Sequence, residues 1–292
     1  DVVNGMVVKE ILTTDGIEKI KKTPEHGNTK IYFETIKQFL ESQFTPNFLS
    51  ASQRDKVQKP YLEPLFNWAF NTIHTRFGTT LGQNALFTFN PDVEVSFEYK
   101  NSEAVAMHLK NAEKEKLLTE LKSKILADLL AIGYDIQDIG CEEAGIAPNN
   151  QKLYRIFANE NGIKSSVIQE NMSQGMFRAI SVIVHYNYMI LKKIPCCLLI
   201  DDIGEGLDFN RASSLINILC QKAKESNYQL IMTSNDRFVM NQVPLSYWSV
   251  LVRNGQSCHS INNTNSPDVF KKFKYTGLNN FDFFSTDFYK GA

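Results

Sequence analysis

The apolar run Leu198-Leu199-Ile200 stops abruptly in two carboxylates, Asp201 and Asp202. Such a run places charge at the carboxyl end of a buried strand, where open α/β sheets bind their ligands. Paired carboxylates there suit a metal ligand and a group that orients or deprotonates an attacking water. An ordinary acidic turn closing a strand gives the same letters. Upstream, Met172-Ser173-Gln174-Gly175-Met176-Phe177-Arg178 opens a helical pattern with Ile180, Ile183, Val184 and Asn187 on the following turns. Ser173 is a natural N-cap, and free N–H groups at a helix start, an exposed Gly175 amide among them, favour phosphate. A plain cap is the alternative. Downstream, Thr233-Ser234-Asn235-Asp236 closes the next apolar run.

Positioning these groups requires strands alternating with helices. From about Lys152 the expected order is strand (152–158), turn at Asn161-Gly162, strand (163–168), helix (173–192), strand (196–200), helix (210–226) and strand (229–233). Buried strands alternating with helices predict a parallel α/β layer. Residues 1–150 read as a separate mixed helix and strand region, with helices expected around 30–44, 52–77 and 105–132. In the last of these, Leu118, Leu121, Ile125 and Leu129 trace one apolar stripe. Leu86 to Tyr99 alternates apolar and polar residues as a half-buried hairpin does.

As a set, the motifs resemble the C-terminal lobe of an ABC-type ATPase of the SMC, RecF and OLD group, often described as AAA family ATPases. Leu198 to Asp202 resembles a Walker B strand, and Asp201 to Asp208 matches the Asp-Glu-Pro-Thr-x-x-Leu-Asp stretch position for position. The Ser173 helix resembles the Leu-Ser-Gly-Gly-Gln signature. Its spacing to Asp201 is about a helical turn longer than in transporter ATPases. The resemblance covers roughly Leu153 to Val252. It implies an α/β P-loop NTPase head of ABC type, with a parallel sheet core flanked by helices in 151–292 and a mixed N-terminal insertion in 1–150.

By the same resemblance, ATP and Mg2+ are the ligands, Asp201 holds the metal and Asp202 takes the catalytic Glu position, one methylene shorter. Glu205 assists or is a solvated turn residue. Ser173, Gln174 and Gly175 act on a partner's nucleotide across a head-to-tail homodimer or higher homo-oligomer. Asp208 is the D-loop aspartate. Asn235 replaces the switch histidine and can donate a hydrogen bond to phosphate but cannot take up a proton; shaping a turn is its other reading. The implied activity is ATP hydrolysis, with an effector protein or DNA as partner, in DNA repair or antiphage defence. A nucleotide-gated scaffold without significant hydrolysis is the alternative, and a transporter ATPase is third.

Between Asp1 and Ala292 there is no Gly-x-x-x-x-Gly-Lys-Ser/Thr phosphate loop. With Asp1 as its first residue, the chain is expected to be part of a longer protein that carries the loop, and to be inactive alone. At 292 residues, 43% hydrophobic and 22% charged, it can bury a substantial core. A net charge of −1 gives no global field for wrapping nucleic acid. The five cysteines, Cys141, Cys196, Cys197, Cys220 and Cys258, fit a reducing cytoplasm better than a disulfide or zinc framework. His26, His74, His108, His185 and His259 form no metal-like spacing and read as packing or surface residues. No apolar run is long enough to span a bilayer, so no membrane is expected. The aromatic-dense 273–289 segment either folds back on the core or docks on a partner.

Overall fold

The computed structural model describes residues 2–3, 6–7, 9–22, 28–43, 47–76, 83–88, 105–148, 150–194, 196–226 and 228–291. The chain divides into two compact units, Asp1–Asn71 and Thr72–Ala292. This division differs from the boundary expected near residue 150, because the strand that opens the second unit joins the same sheet as Asp201.

In the first unit, β1 (Val2–Val3) pairs with β2 (Met6–Val7). The strands β3 (Glu10–Thr14), β4 (Ile17–Lys22), β5 (Thr29–Phe33) and β6 (Gln38–Ser42) then form a four-stranded antiparallel sheet in chain order. They stand in place of the helix expected around 30–44. Thr29 and Ile31 are buried while Lys30 points outward, a period of two that only a strand satisfies. Lys37, at φ 52°, turns the chain between β5 and β6. Ile20 and Ile31 pack with Leu62 into the core of this unit. The buried Glu10 carboxylate accepts from the Ser50 and Ala51 amides at 2.8 and 2.7 Å, capping a short 3-10 turn. The helix expected over 52–77 is confined to α1 (Glu63–Phe70), entered through prolines, and is followed by the β-branched strand β7 (Thr72–Arg76).

In the second unit, β7, β12 (Cys196–Asp201) and β13 (Tyr228–Met232) make a three-stranded parallel sheet with β12 in the centre. Cys197, Leu198 and Ile200 are buried, as expected of a strand covered on both faces. Of the helices α2 (Val105–Lys114), α3 (Leu118–Ala131), α4 (Gln174–Leu191) and α5 (Phe209–Glu225), α5 packs against β13, while α2 and α3 pack on α4 and all four share one core with the sheet. The single pattern expected over 105–132 is broken into α2 and α3 at Lys116, which adopts a left-handed φ of 62°. Leu121, Ile125 and Leu129 form the buried stripe of α3. Every residue of α4 from Gly175 to Met189 is buried, the pattern of a helix enclosed on all sides.

A second, antiparallel sheet joins β8 (Phe87–Thr88), β9 (Ile136–Ile146), β10 (Lys152–Glu160) and β11 (Val167–Ile168), with β10 pairing to all three others. Most of the expected 86–99 hairpin lies outside the described residues. The strand expected over 163–168 is shortened to β11. The remaining elements are α6 (Arg237–Gln242), the hairpin β14 (Ser249–Asn254) and β15 (Ser257–Asn262), α7 (Pro267–Lys274) and α8 (Asn280–Ser285). Here the aromatic segment folds back: Phe270, Phe273, Phe283 and Tyr289 join Val250 and Ile261 in their own core. Tyr275 and Leu278 stay exposed.

Three helices are tied together by one buried polar group. The Asn187 amide of α4 donates to Asp128 of α3 at 2.6 Å and to the Ile183 carbonyl at 2.9 Å, and accepts from Lys222 of α5 at 2.9 Å. Lys222 also pairs with Asp128 at 2.9 Å. Asn187→Leu removes three hydrogen bonds but leaves the ion pair, so a loss of about 1–2 kcal/mol is expected in urea unfolding.

Candidate functional site

The chain leaves β12 at Asp201 and immediately reverses. Asp202 takes a left-handed φ of 53°, which aspartate tolerates better than most residues, and Gly204 and Gly206 follow at 91° and 80°. At Gly204 an added Cβ would meet Val239 at 3.0 Å and Ala212 at 3.3 Å, so close packing as well as backbone angle selects glycine there. The turn is stitched to the end of β13 by Thr233. Its hydroxyl accepts from the Asp202 amide at 3.0 Å and donates to Asp201 Oδ1. Its amide donates to the Ile200 carbonyl and its carbonyl accepts from Ile203, each at 2.9 Å.

These contacts hold residues 202–207 opposite 234–236, and the two segments line an open cleft of about 460 Å3. The lining carries the carboxylates of Asp202, Glu205 and Asp236 and the Asn235 amide. Of these, Asp236 is already engaged as the N-cap of α6, accepting from the Phe238 and Val239 amides at 2.8 and 2.9 Å. Asp202, Glu205 and Asn235 are exposed. Asp201 sits at the sheet end, half-buried, with Oδ1 held by Thr233 and Oδ2 without a hydrogen bond among the described residues.

The start of α4 backs this turn. Ser173 accepts from the Met176 amide at 3.2 Å, the cap its position predicts. Gly175 is buried, not exposed as expected, because the Gly206 carbonyl lies against it: a Cβ on Gly175 would stand 2.3 Å from that oxygen. Ser173, Gln174 and Gly175 therefore do not line the cleft; they join it through the turn. Asp208 caps α5 and pairs with Arg211 at 3.1 Å. The Arg211 amide, and then its guanidinium charge, hold the Asp208 carboxyl below the usual carboxylate range. Arg211 in turn lies over the Tyr134 ring, 4.3 Å from its centroid.

Four contributors are not singled out by the sequence. Thr233 stands inside a quoted motif, yet its role depends on β13 lying beside β12. The buried Arg178 donates to the Glu205 carbonyl at 2.9 Å and fastens α4 to the turn; a cation on an otherwise apolar helix face was the available signal. Gln83 donates to the Met172 carbonyl, while Gln169 donates to the Gln83 and Ala85 carbonyls at 3.0 Å, and together they fix the approach to Ser173. Those residues are too far apart in sequence to leave a local pattern.

Among the described residues, no group of three or more His, Cys, Asp or Glu side chains converges as a metal cage. Magnesium does not need one, since it keeps several waters and is commonly held by one or two carboxylates together with substrate phosphates. The open Asp201 oxygen beside Asp202 fits that donor set. Cys141, Cys197, Cys220 and Cys258 are all free thiols. No described helix is long and apolar enough to cross a membrane.

No protein-family model and no curated protein matches the chain. Among solved structures it is similar to SMC head domains. One, from work on ATP-driven dimerization and DNA-stimulated activation of SMC ATPases, matches at 16% identity and a TM-score of 0.37 over 56% of this chain and 97% of that one. A second is the Smc head with an extended coiled coil from Pyrococcus furiosus, bound to the C-terminal domain of ScpA. It matches at 16% identity and 0.38 over 60% of this chain and 44% of that one. A third, an Smc head bound to the C-terminal winged-helix domain of ScpA, matches at 11% identity and 0.49 over 85% of this chain and 69% of that one. These figures place the chain in no family.

Proposed function

We propose that the chain is the Walker B and signature lobe of an ATP-binding, ATP-hydrolysing head. The observation that carries this reading is the placement of Asp201 and Asp202 at the carboxyl end of a parallel strand, both pinned by Thr233, with Asp202 lining the open cleft. Asp201 is the residue that would hold Mg2+, which supplies positive charge to neutralise the phosphate oxygens. Asp202 lines the cleft as the group that orients water, and Asn235 on the opposite wall supplies an N–H donor. Among the described residues the cleft lining contains no Lys or Arg, so the phosphate cradle is assigned to residues other than these. The Ser173 end of α4 is assigned to a partner's nucleotide in a head-to-tail dimer, since it stands outside the cleft its own chain builds.

The test is magnesium-dependent ATP turnover and ATP-dependent dimerisation by the complete protein, measured beside Asp202→Asn. Turnover lost in the variant is expected. Dimerisation by ATP without turnover in either protein would replace hydrolysis with a nucleotide-gated scaffold, and neither response in either protein would overturn the nucleotide reading.

A further inference from the structure

The helices α2 and α4 lie side by side and run in the same direction. His108 meets His185, and two turns on Glu115 meets Lys192 at 2.7 Å, so the register is constant along the seam. His108 Nε2 and His185 Nδ1 are 2.8 Å apart, with ring centroids at 4.5 Å and ring planes nearly perpendicular. Both side chains are buried. Each imidazole spends one nitrogen on the other; the outer ones, His108 Nδ1 and His185 Nε2, have no hydrogen-bond partner among the described residues. Asn111 and Ser181, on adjacent turns of the two helices, also carry buried polar atoms without partners there.

Proton counting shows what this geometry tolerates. Two neutral imidazoles hold two N–H groups and two bare nitrogens, and the shared hydrogen bond uses one of each. One added proton leaves both outer nitrogens as donors with no acceptor, on a net positive charge enclosed in the seam. We infer that the His108–His185 pair is an acid-released latch, which holds α2 against α4 while both rings are neutral and frees them when the rings take up protons. Because the start of α4, with Gly175, lies behind the cleft turn, release of the latch loosens the support of the candidate site. The latch does not depend on the nucleotide reading.

The groups that face the pair do not offset such a charge. Tyr188 of α4 lies 5.0 Å from the His108 ring; Glu115, two turns on from His108, gives Oε1 to Lys192 at 2.7 Å, and its buried Oε2 has no partner among the described residues. From β9, the Cys141 thiol donates to the Ala106 carbonyl, and burial pushes it up to about 12, so it stays neutral. No charged side chain of α3, β9 or β10 shifts either ring. Burial lowers His185 to about 4; burial first, and His185 second, hold His108 well below its ordinary 6.5. Once opened, the rings titrate near 6.5 and bind protons that the latched form does not. Latch stability is therefore full above about pH 6.5 and is lost as the pH falls from there toward about 4.

The experiment is native-state hydrogen exchange over α2 and α4 at about pH 7.5 and about pH 5.5, corrected for intrinsic exchange. Each ring contributes roughly tenfold to opening between those values, so the wild type should open about 100-fold more readily at the lower pH. His108→Leu/His185→Phe should show no such change confined to α2 and α4. An equal pH response in this variant, or none in the wild type, overturns the latch. If the variant does not fold, histidine proton shifts in the wild type decide the matter. Both buried rings should remain neutral in the native protein at the lower pH, and a native titration of either near the ordinary 6.5 is the refuting result.

Discussion

Replacing Asp201 by Asn is expected to lower magnesium-dependent ATP turnover of the complete protein by about two to three orders of magnitude, the range seen when one charge-stabilising group is removed from an active site. The substitution keeps the shape. Its amide oxygen can still accept from the Thr233 hydroxyl, so the turn at Asp202 and the β12–β13 pairing should survive. What disappears is the negative charge on the oxygen left open at the sheet end. The urea midpoint should therefore stay close to wild type while the magnesium concentration needed for half-maximal activity rises. Thr233→Val provides the contrast. It deprives the Asp202 amide of its acceptor and leaves Asp201 unanchored, so it should cost about 1 kcal/mol of stability together with a smaller fall in turnover, about tenfold. An Asp201→Asn protein with unchanged magnesium dependence would remove Asp201 from the metal position.

Gly175→Ala should cost about 3 kcal/mol in urea unfolding, at the upper end for overpacking because the obstacle is backbone. The new methyl would lie 2.3 Å from the Gly206 carbonyl oxygen and 3.1 Å from Leu207 Cδ2. Relief by moving α4 is resisted by Met176, Phe177 and Ile180, all buried in the core of the second unit. Relief by moving the turn is resisted by Gly204, wedged against Val239 and Ala212. Gly291→Ala, where an added Cβ meets nothing, is the control and should be neutral. Equal stability of the two variants would show that α4 and the turn are not in contact in solution.

Much of the site was legible because its elements are strongly patterned. The run ending at Asp201, the Ser173 cap and the helix after Asp208 each announce themselves within a few residues, and β12, α4 and α5 lie within a residue or two of their expected bounds. The first unit was harder to read. Ile31, Phe33, Ile36, Phe39 and Leu40 fit the spacing of a helix nearly as well as that of two strands, and cross-strand pairing such as Ile31 with Leu40 decided between them. The break between α2 and α3 rests on one left-handed residue, Lys116, a conformation its side chain does not favour and tertiary packing imposes. Thr233, Arg178 and the Gln83–Gln169 pair act across distant segments, so local propensity carried no trace of their partners.

The junction between α4 and the turn at 203–207 is mechanically two-sided. Gly175 against the Gly206 carbonyl is a contact of excluded volume, which transmits compression and goes slack under tension. Arg178 holding the Glu205 carbonyl resists separation. Side by side, the two make α4 follow the turn in both directions. The helix has 18 residues and so is about 27 Å long, so the junction ties the cleft turn to a rod that runs through the buried core of the unit.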